Sequence, residues 1–292
     1  MSGAGPFRLG LLGHPVAHSV SPAMHEAALR AANLSGSYSL FDVLPGALGA
    51  MLERLRTGEL HGLNVTVPHK GEVAGLCDRL APEAALAGAV NTLVRAADGR
   101  IEGHNTDIAG LASALQSAFA QAPWRGGCAV VLGAGGAGRA AVLAAFQAGA
   151  AEVRVYNRTA ARAERLVAEL AGRVSGGLRA TSEIADGVSG AALILQATTR
   201  GMATTPGTSD WLEVRADAES ALRLAAPDAA VLDLVYRPRE TPWVAAARRL
   251  GLAADDGLEM LVQQAAWAFK LWTGHLPAPA LMRAAAEGAL QR

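Results

Sequence analysis

Lysine is almost absent from this 292-residue chain: Lys70 and Lys270 are two of its 26 basic residues, and the remaining 24 (26 minus 2) are arginines. A guanidinium keeps its proton near neutral pH, whereas an ammonium can be tuned by burial and neighbours to give one up. Cysteine is equally scarce. Cys77 and Cys128 form no CxxC pair, so no disulfide framework is expected. Net charge is missing too: 26 acidic residues balance the 26 basic ones, which leaves no field to draw in nucleic acid or an anionic membrane. No run of 18 apolar residues and no cationic segment ahead of a signal-like apolar stretch occurs, so a cytoplasmic location is expected. Of the seven histidines, His14, His18 and His25 invite a metal reading. Pro15 and Pro22 interrupt any helix that would align them, and no HExxH or Cys/His ligand set is present, so no metal site is expected.

What is present is a globular composition, 51% hydrophobic with 18% charged, long enough for two domains each with its own core. The first third alternates short strands and helices. Strands are expected at Phe7–Leu12, Tyr38–Val43 and Leu63–Val67, and helices at Ser21–Ala32 and Pro45–Arg56. Asn91–Arg95 and Arg100–Gly103 read as a hairpin around Asp98-Gly99, followed by an Asp107-capped helix to about Ala120. Beyond Pro123-Trp124-Arg125-Gly126-Gly127 a second block begins. Its strands, Cys128–Leu132, Val153–Tyr156, Ala192–Leu195 and Ala230–Val235, are separated by alanine-rich helices, which argues for a parallel sheet covered on both faces. A long helix, Leu258–Trp272, and a shorter one after Pro277 and Pro279 close the chain.

Lys70 ends the segment Asn64-Val65-Thr66-Val67-Pro68-His69-Lys70. Its alternation reads as a strand with one polar and one apolar face, stopped by Pro68. Asn64, Thr66 and Lys70 are then candidates for one polar wall; the competing reading is an edge strand with a solvated face. His18-Ser19-Val20-Ser21-Pro22 sets two hydroxyls beside a helix start, either as a carboxylate receptor or as plain N-capping by Ser21. Asn91-Thr92 and Asn105-Thr106-Asp107 add polar groups that turns alone would explain. Gln263 and Gln264 interrupt an apolar helix, and because they point about 100° apart at most one is expected to reach a cleft.

Gly133-Ala134-Gly135-Gly136-Ala137-Gly138 fits G-x-G-x-x-G, following the apolar run Ala129–Leu132 and opening a helix near Arg139. In that context the glycines permit a tight turn and close approach of a pyrophosphate to a helix N-terminus. An NAD site places Asp or Glu about 20 residues on. Here Asn157-Arg158-Thr159 stands instead, with Arg162 a turn later. A guanidinium pairs with a 2′-phosphate that a carboxylate would repel, so NADP is the expected cofactor.

Taken together these segments resemble the shikimate dehydrogenase family. The resemblance runs through Gly13–His25, Asn64–Lys70, Ala89–Thr92, Gly103–Asp107, the glycine loop with Asn157-Arg158-Thr159, Asp233-Leu234-Val235-Tyr236 and Met260–Ala266. It implies an α/β fold of two domains. Residues 1–106 plus 257–292 would form the substrate domain, and 107–256 an inserted Rossmann-like parallel-sheet NADP domain, with the cleft between them. It implies NADPH-dependent reversible reduction of 3-dehydroshikimate to shikimate, in the route to the aromatic amino acids. Lys70 and Asp107 correspond to the catalytic pair and Ser19 and Ser21 to carboxylate binders. Asn64, Thr66, Asn91 and Gln264 correspond to the hydroxyl-binding wall, Tyr236 lies near the substrate, and Gly257 falls with the cofactor residues. Partners would be limited to the small-molecule substrate, in a monomer or homodimer. Gln196 departs from the family's usual Asn, and the segment from Thr204 to Asp228 is long and acidic; both lie on the cofactor side. A quinate-oxidising relative, perhaps using NAD, would tend to carry threonine at Ser21, and a non-catalytic NADP sensor could dispense with Lys70 or Asp107.

Overall fold

The computed structural model describes residues 5–119, 121, 123–202 and 204–291, so the expected helix end at Ala120 lies outside the described residues. Two compact units emerge. One takes the chain as far as Gly110 and resumes at Leu261; the other is Leu111–Met260.

The first unit opens with β1 (Phe7–Gly13), α1 (Ser21–Ala31), β2 (Gly36–Asp42), α2 (Leu48–Arg56), β3 (Gly62–Val65) and α3 (Lys70–Ala74). It continues through β4 (Arg79–Leu80), α4 (Pro82–Ala87), β5 (Thr92–Arg95) and β6 (Ile101–His104) into α5 (Thr106–Ala118). The six strands form one mixed sheet in the order β2-β1-β3-β5-β6-β4. β1 runs parallel to β2 and β3, while β5 pairs antiparallel with β3 and β6. This excludes the competing reading of the segment before Lys70 as a solvated edge strand, while Leu63 and Val65 join the apolar core and Asn64 a polar network. β3 is a central strand, and all four of its residues are buried because side chains cover both faces of the sheet. Leu12, Leu52, Leu55, Leu63 and Leu93 belong to one core cluster, while Leu9, Leu11, Val16 and Tyr38 belong to another. Gly10 is forced by the neighbouring strand: a Cβ there would meet the Phe41 ring at 2.4 Å and the Ser39 carbonyl at 2.6 Å.

The second unit contains β7 (Cys128–Leu132), α6 (Gly136–Gln147), β8 (Glu152–Tyr156), α7 (Ala160–Leu170), β9 (Gly177–Thr181), α8 (Ile184–Val188) and β10 (Leu193–Gln196). α9 (Ser209–Leu222), β11 (Ala230–Asp233), α10 (Pro242–Arg249) and β12 (Ala253–Asp255) complete it, whereas from Leu261, inside α11 (Leu258–Thr273), through α12 (Pro279–Leu290) the chain is back in the first unit. The sheet of the second unit is wholly parallel in the order β12-β11-β10-β7-β8-β9. Counted from β7 this is the doubly wound 6-5-4-1-2-3 order of dinucleotide-binding sheets. The acidic segment after Thr204 resolves into α9, whose Trp211, Val214 and Ala218 are buried, while Asp217 and Glu219 pair with Arg200 and Arg223. Among the described residues no helix is long and apolar enough to cross a membrane.

Candidate active site

In the first unit the chain folds its polar segments onto one end of the β3–β5–β6 region. Lys70 is the first residue of α3 and donates from Nζ to Asp107 Oδ2 at 2.6 Å. The pair is largely shielded, with side-chain exposures of 15% and 4%. Asp107 is not the helix cap expected from the sequence. It lies inside the first turn of α5, and its carboxylate is turned to Lys70 and to Asn91, whose Nδ2 donates to Oδ1 at 2.7 Å. Asn91 also accepts from the Thr106 amide at 2.7 Å through Oδ1. Its Nδ2 has two protons for three nearby acceptors, so the 3.4 Å approach to Gln264 Oε1 is the weakest of the three.

Asn64 extends the network. Its Oδ1 accepts from the Tyr38 hydroxyl at 2.8 Å, and its Nδ2 donates to Thr92 Oγ1 at 3.2 Å and to the Asn91 carbonyl at 3.3 Å. His25 lies flat against Tyr38 with ring centroids 4.4 Å apart. Burial pushes its pKa down to about 3 against the opposing pull of Asn64, so the imidazole is neutral. Gln264 is buried, its Nε2 donating to the Leu261 carbonyl, while Gln263 is half-buried. α5 and α11 approach closely here: a Cβ on Gly110 would sit 2.8 Å from the Gln264 amide nitrogen. Thr66 is half-buried just past β3. Tyr38, Thr92 and Thr106 are members of this network that sequence reasoning did not single out as site residues.

Ser19 and Ser21 do come together, but Ser21 is not an N-cap. α1 starts at Ser21 after Val20, and the Ser19 hydroxyl both donates to Ser21 Oγ at 3.0 Å and accepts from the Ser21 amide at 3.2 Å. Two hydroxyls thus stand at the positive end of an eleven-residue helix, suited to an anionic group. Since Ser21 supplies no cap, Ser21→Ala should leave the melting temperature near wild type. Loss of a charge-assisted hydrogen bond worth about 1.5–3 kcal/mol should raise the Michaelis constant for a carboxylate substrate at least several-fold. A lowered melting temperature with unchanged substrate affinity would return Ser21 to a purely structural role.

The three histidines noted in the sequence part company. His14 contacts Asp42 and His25 is buried at Tyr38. Among the described residues no group of three His, Cys, Asp or Glu side chains is placed to hold a metal ion.

In the second unit, Gly133-Ala134-Gly135 turns out of β7 into α6. Gly133 has φ +120°, and a Cβ on Gly138 would sit 2.1 Å from the Gly133 carbonyl oxygen, so both positions require glycine. Space above Gly135 is open for 4 Å, and no side chain caps α6. The exposed amides of a twelve-residue helix, reached past a glycine with nothing over it, fit a dinucleotide pyrophosphate. Gly136 and Ala137 form the first turn of that helix. Asn157 is engaged on both sides: its Oδ1 accepts from the Ala134 amide at 3.2 Å and its Nδ2 donates to the Thr159 carbonyl at 2.9 Å. It therefore ties the glycine turn to the end of β8, where Arg158, Thr159 and Arg162 are exposed and no carboxylate stands.

At the end of β11, Asp233 is fully buried and accepts from the Val235 amide at 3.0 Å. Burial pushes its pKa up to about 7, with Val235 and Thr241 opposing. Tyr236 follows in this second unit, its hydroxyl pKa raised by burial. Gly257 packs against the same turn, where a Cβ would meet the Leu234 carbonyl oxygen at 2.2 Å.

Family models cover three stretches of the chain: the shikimate dehydrogenase substrate binding domain matches residues 11–93, shikimate / quinate 5-dehydrogenase 116–206, and the shikimate 5′-dehydrogenase C-terminal domain 257–287. A shikimate dehydrogenase (NADP(+)) from Methylobacterium radiotolerans is 44% identical over 95% of this chain and 94% of its own length. The chain belongs to the shikimate dehydrogenase family. Within that family, the crystal structure of shikimate 5-dehydrogenase from Thermus thermophilus in complex with NADP(H) and shikimate is 41% identical, with a TM-score of 0.82 over 97% of this chain and 100% of that one. Quinate dehydrogenase from Corynebacterium glutamicum in complex with NAD is more distant, 33% identical with a TM-score of 0.81 over 96% of this chain and 98% of that one.

Proposed function

We propose that the chain is a cytoplasmic enzyme that reversibly reduces 3-dehydroshikimate to shikimate with NADPH, on the route to the aromatic amino acids. The unit built on β1–β6 is its substrate-binding catalytic domain and the unit built on β7–β12 its NADP-binding domain. The observation that carries this reading is the shielded Lys70–Asp107 pair, 2.6 Å apart, with Asn91 holding the second carboxylate oxygen.

When bound, NADPH supplies a hydride to the ketone carbon. The ketone oxygen gathers negative charge as the carbonyl is reduced, and a proton donor aimed at it stabilises that charge. Lys70 is that donor: its ammonium gives a proton to the oxygen, and in the reverse direction its amine takes the proton back. Asp107 orients Lys70, and Asn91 orients Asp107, so the ammonium is held in place before substrate arrives. Ser19 and Ser21 bind the substrate carboxylate at the start of α1. Asn64, Thr66, Asn91 and Gln264 bind the ring hydroxyls, with Tyr38 and Thr92 fixing the Asn64 amide so that it presents one orientation. Tyr236 is the remaining substrate-binding candidate.

Initial rates with shikimate and with quinate, each against NADP and NAD, test this function. The expected order has shikimate with NADP far ahead, because Ser21 keeps a small hydroxyl at the receptor. Quinate oxidised with NAD as fast as shikimate with NADP would replace it by the quinate reading.

A further inference from the structure

Gln196 ends β10 at the middle of the parallel sheet. It faces Leu132, the last residue before the glycine turn, on one side and Asp233 on the other. Its side chain is buried to 1% exposure, yet it is not an idle core group. Oε1 accepts from the Thr198 amide at 2.7 Å, while Nε2 donates to the Arg200 carbonyl at 3.1 Å and lies 3.4 Å from the Thr198 carbonyl. One amide thus closes the loop that follows it, taking up both backbone acceptors and a backbone donor. That loop rests on the glycine turn. A Cβ on Gly133 would come within 3.1 Å of Ala197 backbone atoms and of the Thr198 side chain, and the Ala197 amide donates to the Leu132 carbonyl at 2.8 Å.

The strand order says which half of a dinucleotide this loop meets. With the pyrophosphate over the start of α6, the adenosine end lies toward β8, where Arg158 is exposed. β10 and β11 lie on the opposite side of β7, so the other half of the cofactor extends over their ends. We propose that Gln196 is a positioning residue that fixes the Ala197–Arg200 loop as the seat of the nicotinamide half of NADP, an inference resting on the cofactor placement given above. Its side chain reaches from the strand end to the Arg200 carbonyl, four residues on, as well as to the nearer Thr198 amide.

The test compares a whole cofactor with half of one. Gln196→Met removes all three bonds at nearly constant volume. Gln196→Glu keeps an acceptor for Thr198 but sets a carboxylate oxygen against two carbonyls. Dissociation constants are measured for NADPH, by nicotinamide fluorescence, and for adenosine 2′,5′-bisphosphate, by calorimetry. The expected result is NADPH weakened about fivefold or more in both variants, because the loop is no longer pre-organised, with the bisphosphate within about twofold of wild type. Retained bisphosphate binding also certifies that the unit is folded. Equal weakening of both ligands would make Gln196 a general structural residue and overturn the assignment, as would unchanged NADPH affinity in both variants. Wild-type protein that fails to bind the bisphosphate would overturn the cofactor placement itself, and the assignment with it.

Discussion

Lys70→Ala should lower turnover by about 10²- to 10⁴-fold, the usual cost of removing a positioned general acid. NADPH affinity, read by nicotinamide fluorescence, should stay near wild type, since Lys70 belongs to the unit without the glycine turn. Lys70→Arg sharpens the result. It keeps a cation beside Asp107, but a guanidinium does not hand over its proton near neutral pH, so turnover should fall almost as far. Charge alone would leave the arginine variant active. In the alanine variant Asp107 retains its 2.7 Å bond from Asn91, so the carboxylate is not stranded, and a melting curve run alongside separates lost chemistry from lost fold. Near-normal turnover of the alanine variant would remove Lys70 from the reaction.

Much of the fold was legible because the strands that matter are apolar and bounded by turn residues. Cys128–Leu132 is a strand over the stretch expected, and the Asp98-Gly99 turn joins two antiparallel strands. Weaker signals failed where the side chains carry little strand preference. β12 is Ala-Ala-Asp, and β9, Gly-Leu-Arg-Ala-Thr, starts on a glycine and sits at the sheet edge with alternate residues exposed. β4 is only two residues long. Pattern reading left β3 open between a polar wall and a solvated edge strand. Alternation of Asn and Val resembles a half-solvated strand, but a polar side chain in a central strand is equally at home when other polar groups satisfy it. Tyr38, Thr92 and Asn91 do that for Asn64.

The site divided along the same line. Residues whose chemistry is unusual for their setting, such as the rare lysine or a glutamine in an apolar helix, were visible in sequence. Some residues that act by holding others, Tyr38 above all, were not. Tyr38 reads as one more aromatic in a strand, and its bond to Asn64 joins residues 26 positions apart. Ser21 was visible, but its role depended on where α1 begins. A one-residue shift made it the first helical residue, and its amide donates to the Ser19 hydroxyl.

Cofactor choice rests on Arg158, exposed at the end of β8 where an NAD enzyme keeps an acid. Asn157, bonded to Ala134 and Thr159, fixes the backbone on either side of Arg158 relative to the glycine turn. The 2′-phosphate is the only chemical difference between NADP and NAD, and it lies far from the carbon that gives up hydride. Contacts to it therefore act through binding, raising the Michaelis constant more than they lower turnover. Arg158→Ser should cost NADP about 1.5–3 kcal/mol, the range for a hydrogen bond to a charged group, and leave NAD nearly indifferent. The quantity to measure is kcat/KM for NADP divided by that for NAD. Wild type should favour NADP, and the ratio should fall about tenfold or more in the variant. Because Asn157 makes its bonds from its own side chain, the substitution leaves the turn in place, and shikimate KM should not move. If wild type prefers NAD, or both cofactors weaken equally, the guanidinium at 158 is not reading the phosphate, and Thr159 and Arg162, exposed on the same loop and first helical turn, become the groups to test.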